Sequence, residues 1–226
     1  MNGAVELEIR AETLWLHPER AVIWPRRSAI IVADTHFGKS SALGRRGLAI
    51  PAGSDESDRA RLTQLVTQYS ASRLIILGDF LHEPLALWSR EAGEMQNWCA
   101  SLRATKIQVV AGNHDRGVST GWRGPIEWIA GEYCEPPFRF VHEDSIESTG
   151  QPAFSLSGHV HPVAALRGLR KRASRVPAFW LRKQGLVLPS FGLFTGGYPV
   201  DLSQINTSTG RRSAFKNGKT YRQKVW

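Results

Sequence analysis

Short blocks with strand-like patterning follow one another through residues 4–33: Val5 to Ile9, Thr13 to Leu16, Ala21 to Trp24 and Ala29 to Ala33, with breaks at Pro18-Glu19 and Pro25-Arg26-Arg27. Ala29-Ile30-Ile31-Val32-Ala33 is apolar at every position, as expected of a strand covered on both faces of its sheet. It stops at Asp34-Thr35-His36. Phe37 to Gly53 is polar, glycine-bearing and without a clear period. From Asp55 to Ser70, Leu62, Leu65, Val66 and Tyr69 recur at helical spacing, and Asp55, Glu56 and Asp58 fall in the first turn, where acids suit the helix dipole. Arg73 to Leu77 is a second buried strand, running into Gly78-Asp79-Phe80-Leu81-His82. A second helix fits Leu87 to Leu102, with Trp88, Ala92, Met95, Cys99 and Leu102 on one face, and a third strand, Ile107 to Ala111, runs into Gly112-Asn113-His114-Asp115.

Strand, helix, strand, helix, strand at this spacing predicts a parallel βαβαβ unit with right-handed crossovers, all three strands delivering polar residues at the same end. Residues 116–137 read as loop and short helix, with Trp122, Ile126, Trp128 and Ile129 in the core. Beyond them Phe138 to His142, Ala153 to Ser157, Ala178 to Leu181 and Leu186 to Leu188 are strand-like but too close together to hold crossover helices, which predicts a second, mainly antiparallel sheet. The expected organisation is one α/β domain over residues 1–210 and a basic C-terminal tail over 211–226.

Composition agrees: 226 residues with 42% hydrophobic content can fill a sizeable core, which excludes a disordered chain. The N-terminal residues lack a basic region followed by an apolar stretch, and nowhere do about 18 apolar residues run together, so a soluble, cytoplasmic protein with no membrane segment is expected. Cys99 and Cys134 form no CxxC and have no His close by in sequence; they read as reduced core thiols.

Charge adds a partner. Residues 1–147 hold 16 Lys+Arg against 19 Asp+Glu, a net of −3, whereas residues 148–226 hold 13 against one, a net of +12. A basic block of this kind fits either a polyanionic partner or a solvated basic surface.

Candidate chemistry collects at the strand ends: Asp34 and His36, Asp79, then Asn113, His114 and Asp115, then His142, then His159 and His161. Five of the seven histidines are in this set. Carboxylate, imidazole and amide oxygen at the carboxyl ends of parallel strands can converge on one crevice, and mixed N and O donors suit Mn, Fe, Zn or Co rather than Ca.

The ordered set Asp-x-His, Gly-Asp, Gly-Asn-His-Asp, His, Gly-His-x-His, spanning residues 34–161, resembles the calcineurin-like metallophosphoesterase superfamily. That resemblance implies a sandwich of two facing mixed sheets flanked by helices, and two divalent metal ions. Asp34, His36 and His161 would hold the first ion, Asn113, His142 and His159 the second, and Asp79 would bridge them. Two such ions about 3.5–4 Å apart acidify a shared water and hold phosphate oxygens for in-line attack. A shared carboxylate offsets their repulsion. His114 would give a proton to the leaving oxygen, with Asp115 orienting its imidazole. Many superfamily members read Gly-Asp-x-x-Asp-Arg, the Arg contacting phosphate; here His82 and Glu83 stand in those two places. A monoester dianion would miss that cation more than a phosphodiester does.

The chain is more specifically similar to the bacterial ligase-associated DNA damage response endonucleases, through Leu16-His17-Pro18-Glu19-Arg20-Ala21, Asp34-Thr35-His36-Phe37-Gly38-Lys39, Leu77-Gly78-Asp79-Phe80-Leu81-His82, Gly158-His159-Val160-His161-Pro162, and Leu188-Pro189-Ser190-Phe191-Gly192-Leu193-Phe194-Thr195-Gly196-Gly197. This implies a Mn²⁺-dependent phosphodiesterase and DNA endonuclease, working beside a large helicase-related protein and an ATP-dependent DNA ligase. A homodimer is compatible with it. Lys39, Arg45 and Arg46 fit flanking phosphates or a solvated loop equally; His82, one turn from Asp79, could touch substrate; His17 reads as structural. Arg167, Arg170, Lys171, Arg172 and Arg175 start six residues beyond His161 and suit a nucleic-acid backbone, with no base-reading motif nearby. Two alternatives stay open: a small-molecule phosphodiesterase or nucleotide pyrophosphatase with the same metals, and a non-catalytic scaffold for a helicase or ligase.

Overall fold

The computed structural model describes residues 3–50, 53–84, 89–102, 104–118, 122, 124–144, 153–167, 173–200, 214–216 and 219–221. Seven strands lie side by side in chain order in the first sheet: β1 (Val5–Ile9), β2 (Glu12–His17), β3 (Ala21–Trp24), β4 (Ala29–Ala33), β5 (Arg73–Leu77), β6 (Lys106–Val110) and β7 (Ile126–Ile129). β1 to β4 are antiparallel neighbours, and β4 to β7 are parallel. The crossover from β4 to β5 carries α1 (Lys39–Arg45) and α2 (Ser54–Gln68); that from β5 to β6 carries α3 (Arg90–Ser101). The expected βαβαβ unit is therefore present. α1 falls in the stretch without a period because it is only seven residues long and buries a single side chain, Ala42. α3 begins later than its apolar stripe suggests, since Ser89 caps it by accepting a hydrogen bond from the Ala92 N–H at 3.1 Å; Trp88 lies outside the described residues.

Strand alternation builds two cores. Ile30 and Val32, Leu74 and Ile76, and Ile107 and Val109 face the helical layer and pack with Leu62, Leu65, Val66, Met95, Cys99 and Leu102. Ala29, Ile31 and Ala33, Ile75 and Leu77, and Val110 face the other way, onto Phe138, Phe140, Phe154, Leu156, Leu186 and Leu188 of the second sheet. Each Leu, Ile, Val or Phe so buried contributes about 1.5–3 kcal/mol. Both faces of β4, β5 and β6 are covered, which accounts for the unbroken apolar runs Ala29 to Ala33 and Leu74 to Leu77; in β6 the run is interrupted by Gln108, whose side chain is hydrogen-bonded to Arg73 and Glu127.

The second sheet comprises β8 (Glu132–Glu135), β9 (Phe138–Val141), β10 (Phe154–Ser157), β13 (Trp180–Leu181) and β14 (Gly185–Val187), and a small third sheet comprises β11 (Pro162–Arg167), β12 (Ala173–Pro177) and β15 (Tyr198–Pro199). The expectation of a mainly antiparallel second sheet is corrected: its order is β13-β14-β10-β9-β8, and the central β14, β10 and β9 are parallel. Only the edge pairs β13/β14 and β8/β9 are antiparallel. Residues 116–137 also differ from expectation, holding β7 and β8 and no helix among the described residues. Trp122, Ile126, Trp128 and Ile129 do pack on the two cores, though each keeps some exposure. Cys99 is buried as expected and its thiol is pushed up to about 12 by burial, but Cys134, on β8, is exposed rather than in the core. The architecture is an α/β sandwich of two facing mixed sheets, with α2 and α3 over the outer face of the first. Of the tail from 211 onward, β16 (Ala214–Lys216) and β17 (Lys219–Tyr221) pair as a hairpin, and the rest lies outside the described residues. No helix among the described residues is long and apolar enough to cross a membrane.

Candidate metal centre

The parallel register places Ala33 opposite Leu77 and Leu77 opposite Val110, so β4, β5 and β6 end level with one another. Each of these strands leads into a polar motif: Asp34-Thr35-His36, Gly78-Asp79 and, after Ala111, Gly112-Asn113-His114. From the facing sheet, β9 ends at Val141, just before His142, and β10 at Ser157, just before Gly158-His159. The second sheet thereby closes the crevice that the first opens.

The backbone there is held away from ordinary geometry. Asp34, His36, Asp79, His159 and His161 have φ of 51°, 47°, 49°, 67° and 49°. Such left-handed non-glycine residues cost about 1–3 kcal/mol each and persist where their surroundings over-determine them. The surroundings are visible. The Asp34 N–H donates to Gly78 O at 3.2 Å, the His36 N–H to Asp79 O at 2.8 Å and the His82 N–H to Phe37 O at 3.0 Å, lacing the first two motif loops together. Ser190 adds a third lace, its Oγ donating to Asp34 O at 2.7 Å while the Phe191 N–H donates to Ala33 O at 2.8 Å. A lone serine carries no chemical signal in a sequence; only the place of Ser190 in the Leu188 to Gly197 block points to it. Phe191 is buried in the helical-side core, as suits a structural turn.

Two clusters of metal-ligating atoms result. In one, His36 Nε2 lies 3.4 Å from His161 Nε2, His161 Nε2 lies 3.5 Å from Asp34 Oδ1, and Asp79 Oδ2 lies 3.7 Å from His36 Nε2. In the other, His142 Nε2 is 3.0 Å from both Asn113 Oδ1 and His159 Nδ1 and 3.5 Å from Asp79 Oδ1. Asp79 turns one carboxylate oxygen to each. The residues fit divalent cations on chemical grounds: Asp34 Oδ1 is buried with no hydrogen-bond partner, and such an atom is unfavourable unless a cation or water satisfies it. His142 Nδ1 donates to Leu77 O at 3.1 Å, so Nε2 presents a lone pair to Asn113 Oδ1 and Asp79 Oδ1, which are acceptors too. Burial drives the His36 imidazole down to about 2, with Lys39 the next contributor, so it is held as the neutral base that a ligand must be.

A third histidine group adjoins these. His114 stacks on His82 with ring centroids 5.3 Å apart, both stand edge-on to His36, and the His114 Nδ1 donates to His82 O at 2.6 Å. His82 is thus brought to the site, its imidazole pushed down by burial and then by Lys39. Asp115 departs from expectation. Its carboxylate does not orient His114; it accepts from the N–H groups of Gly112 at 2.9 Å and of Phe80 and Leu81 at 3.2 Å each. It is 1% exposed, and burial raises its pKa against the pull of those three donors. Asp115 therefore fixes the loop that carries Asp79, while the backbone carbonyl of His82 fixes His114.

Among the basic candidates, Lys39 is half-buried; burial lowers its pKa, while Asp79 and Asp34 act to raise it. Arg45 and Arg46 both pair with Glu83, the residue standing where many superfamily members carry arginine. Arg175 is exposed on β12; Arg167 lies on β11, and Arg170, Lys171 and Arg172 lie outside the described residues. His17 is buried away from the cluster, its Nδ1 accepting from the Glu19 N–H at 3.1 Å.

Two solved structures are similar to the chain. Over 99% of its length the chain is similar, at 32% identity and a TM-score of 0.76, to 99% of the nuclease MPE of Pseudomonas putida, known from its crystal structure. A second solved structure, of Yfce, a phosphoesterase from E. coli, aligns with 76% of this chain and 84% of that one at 21% identity and a TM-score of 0.42. No protein-family model and no curated protein matches the chain. Fold and centre define a phosphoesterase of the metal-dependent kind. The chain belongs to the calcineurin-like metallophosphoesterase superfamily.

Proposed function

We propose that the chain is a Mn²⁺-dependent phosphodiesterase with a binuclear centre that cleaves DNA as an endonuclease, in the setting of DNA repair. The observation that carries the binuclear reading is Asp79, whose Oδ1 and Oδ2 face separate clusters, 3.5 Å from His142 Nε2 and 3.7 Å from His36 Nε2. Asp34, His36 and His161 would hold one ion, Asn113, His142 and His159 the other, and Asp79 both. When bound, the ions supply Lewis-acid stabilisation of phosphate oxygens and an acidified water.

The chain's own residues do the rest. With Nδ1 fixed on His82 O, His114 keeps Nε2 for the proton that the leaving alkoxide needs. His82, stacked on that ring, holds its plane and flanks the phosphate. Lys39, Arg45 and Arg46 supply cations for neighbouring phosphates, while Glu83 in place of the motif arginine favours a diester over a monoester dianion. Nucleic acid as substrate is supported by the nuclease from P. putida and by the net +12 of residues 148–226 (13 basic, one acidic), in which Arg167 and Arg170 would track the backbone. The helicase-related protein, the ATP-dependent ligase and a homodimer belong to this same proposal, as do a cytoplasmic location and the division into a domain over 1–210 and a basic tail.

The test is Mn²⁺-dependent hydrolysis of bis(4-nitrophenyl) phosphate and nicking of supercoiled plasmid by wild type and Asp79→Ala. Both activities should vanish in the variant. A normally folded Asp79→Ala protein that keeps diester turnover would sink the two-ion assignment, and a wild type that hydrolyses small diesters but leaves every nucleic acid intact would make it a small-molecule phosphodiesterase.

A further inference from the structure

Tyr198 is 63% exposed, more than the other exposed large hydrophobic side chains Leu48, Leu193 and Phe194. Its side chain makes no hydrogen bond, ring contact or cation–π contact among the described residues. An isolated exposed aromatic ring is ordinary; the backbone beneath this one is not. The Tyr198 N–H donates to the carbonyl of His161 at 3.0 Å, and the Val200 N–H to Val163 O at 3.0 Å, so β15 lies directly beside β11 where that strand leaves the metal centre. A Cβ on Gly197 would meet the Val163 side chain at 2.1 Å and the backbone oxygen of His161 at 3.1 Å, so the chain before Tyr198 is packed closely on β11. Pro199 comes next in the chain, restricting Tyr198 to extended conformations. The ring is therefore presented to solvent from a fixed backbone about one strand spacing, roughly 4.8 Å, from that of His161, whose Nε2 is 3.5 Å from Asp34 Oδ1.

We infer that Tyr198 is a stacking platform for a nucleobase flanking the scissile phosphate, an inference that rests on the nucleic-acid reading above. A phosphodiester held at the metal centre has its neighbouring base within reach of an adjoining strand. An aromatic ring on a rigid backbone offers that base a flat apolar face at little entropic cost, whatever the base, because every base has a π-face. Such a contact restrains the strand without reading its sequence, in keeping with the absence of a base-reading motif.

The experiment pairs protein variants with substrate variants. Single-stranded oligonucleotides with and without an abasic site beside the mapped cleavage position are cleaved by wild type, Tyr198→Ala, Tyr198→Phe and Tyr198→Trp, and Mn²⁺ binding to each protein is measured by calorimetry. Tyr198→Ala should lower kcat/KM on the intact strand about five- to thirty-fold, Phe and Trp should restore it, and Mn²⁺ binding should not change. The abasic strand should be cleaved equally by wild type and Tyr198→Ala. If Tyr198→Ala cleaves the intact strand as wild type does, or loses as much on the abasic strand, the platform is wrong while the nuclease reading stands. A wild type inert on every strand would instead remove the nucleic-acid reading and the platform with it.

Discussion

The two sheets serve one centre in different ways. The first supplies Asp34, Asp79 and Asn113 from three parallel strands that end level, joined by crossovers that carry helices. The second supplies His142 and His159 from strands that are also parallel, β9 and β10, but no helix connects them among the described residues. Parallel strands need a long crossover but not a helical one: β10 reaches β14 only after the chain has built β11, β12 and β13. What the centre requires of both sheets is a carboxyl-terminal strand end, and the means of return is secondary.

The sheets meet at Gly78 and His142, and their joint support of the centre is most sensitive to substitution there. A Cβ on Gly78, whose φ is 74°, would lie 2.0 Å from His142 Nδ1 and 2.3 Å from Cγ. Gly78→Ala should therefore destabilise the fold by on the order of 2–6 kcal/mol, combining left-handed strain with overpacking, and should displace His142 from Asn113 and Asp79. Urea denaturation and Mn²⁺ titration would show it. A variant as stable as wild type with two ions bound would mean that the two strand ends are not rigidly joined there.

The same contrast decides how much is legible in the chain alone. In the first sheet, apolar runs bounded by polar motifs and separated by helical periods locate β3, β4 and β5 to the residue, and all seven proposed ligands converge where strand-end logic puts them. The second sheet's strands are visible as runs, but their direction is not, since period 2 is the same for parallel and antiparallel pairing. α1 is too short to show a period. At the site, residue type reveals that Asp115 matters but not what it touches: adjacency to His114 suggests an imidazole partner, whereas the turn aims its carboxylate at Gly112, Phe80 and Leu81. Hydrogen-bond direction depends on backbone geometry that a motif does not encode.

Asp115→Asn should have a smaller effect than Gly78→Ala. An amide can accept through one atom only, so at least one of the three N–H bonds is lost and the loop bearing Asp79 loosens. Turnover should fall about 10- to 100-fold, as for other residues that position metal ligands, and Mn²⁺ affinity should fall with it. The loss should be the same for diesters with a nitrophenolate leaving group, which needs no proton, and with an alkoxide leaving group, which does. His114→Gln should instead hurt the alkoxide substrate far more. A leaving-group-dependent loss in Asp115→Asn would restore it as the orienting partner of His114.

His17 is a histidine of the first sheet that lies outside the centre and belongs to none of the ligand clusters. It is 5% exposed, its ring stands edge-on to Tyr69, and its Nδ1 must be unprotonated to accept from the Glu19 N–H. Burial accordingly lowers its pKa below the ordinary 6.5, with Glu19 acting in the opposite sense. The unfolded chain takes up a proton as pH falls through 6.5 while the folded chain does not. By linkage, stability is then unaffected above that pH and declines below it, at up to about 1.4 kcal/mol per pH unit until the folded-state pKa is reached. Measured by urea denaturation without metal from pH 7.5 to 5, wild type should lose stability relative to His17→Gln below pH 6.5, with the difference between the two flat above it. Parallel curves throughout would show that His17 is protonated equally in the folded and unfolded chains, and that its burial does not hold it neutral.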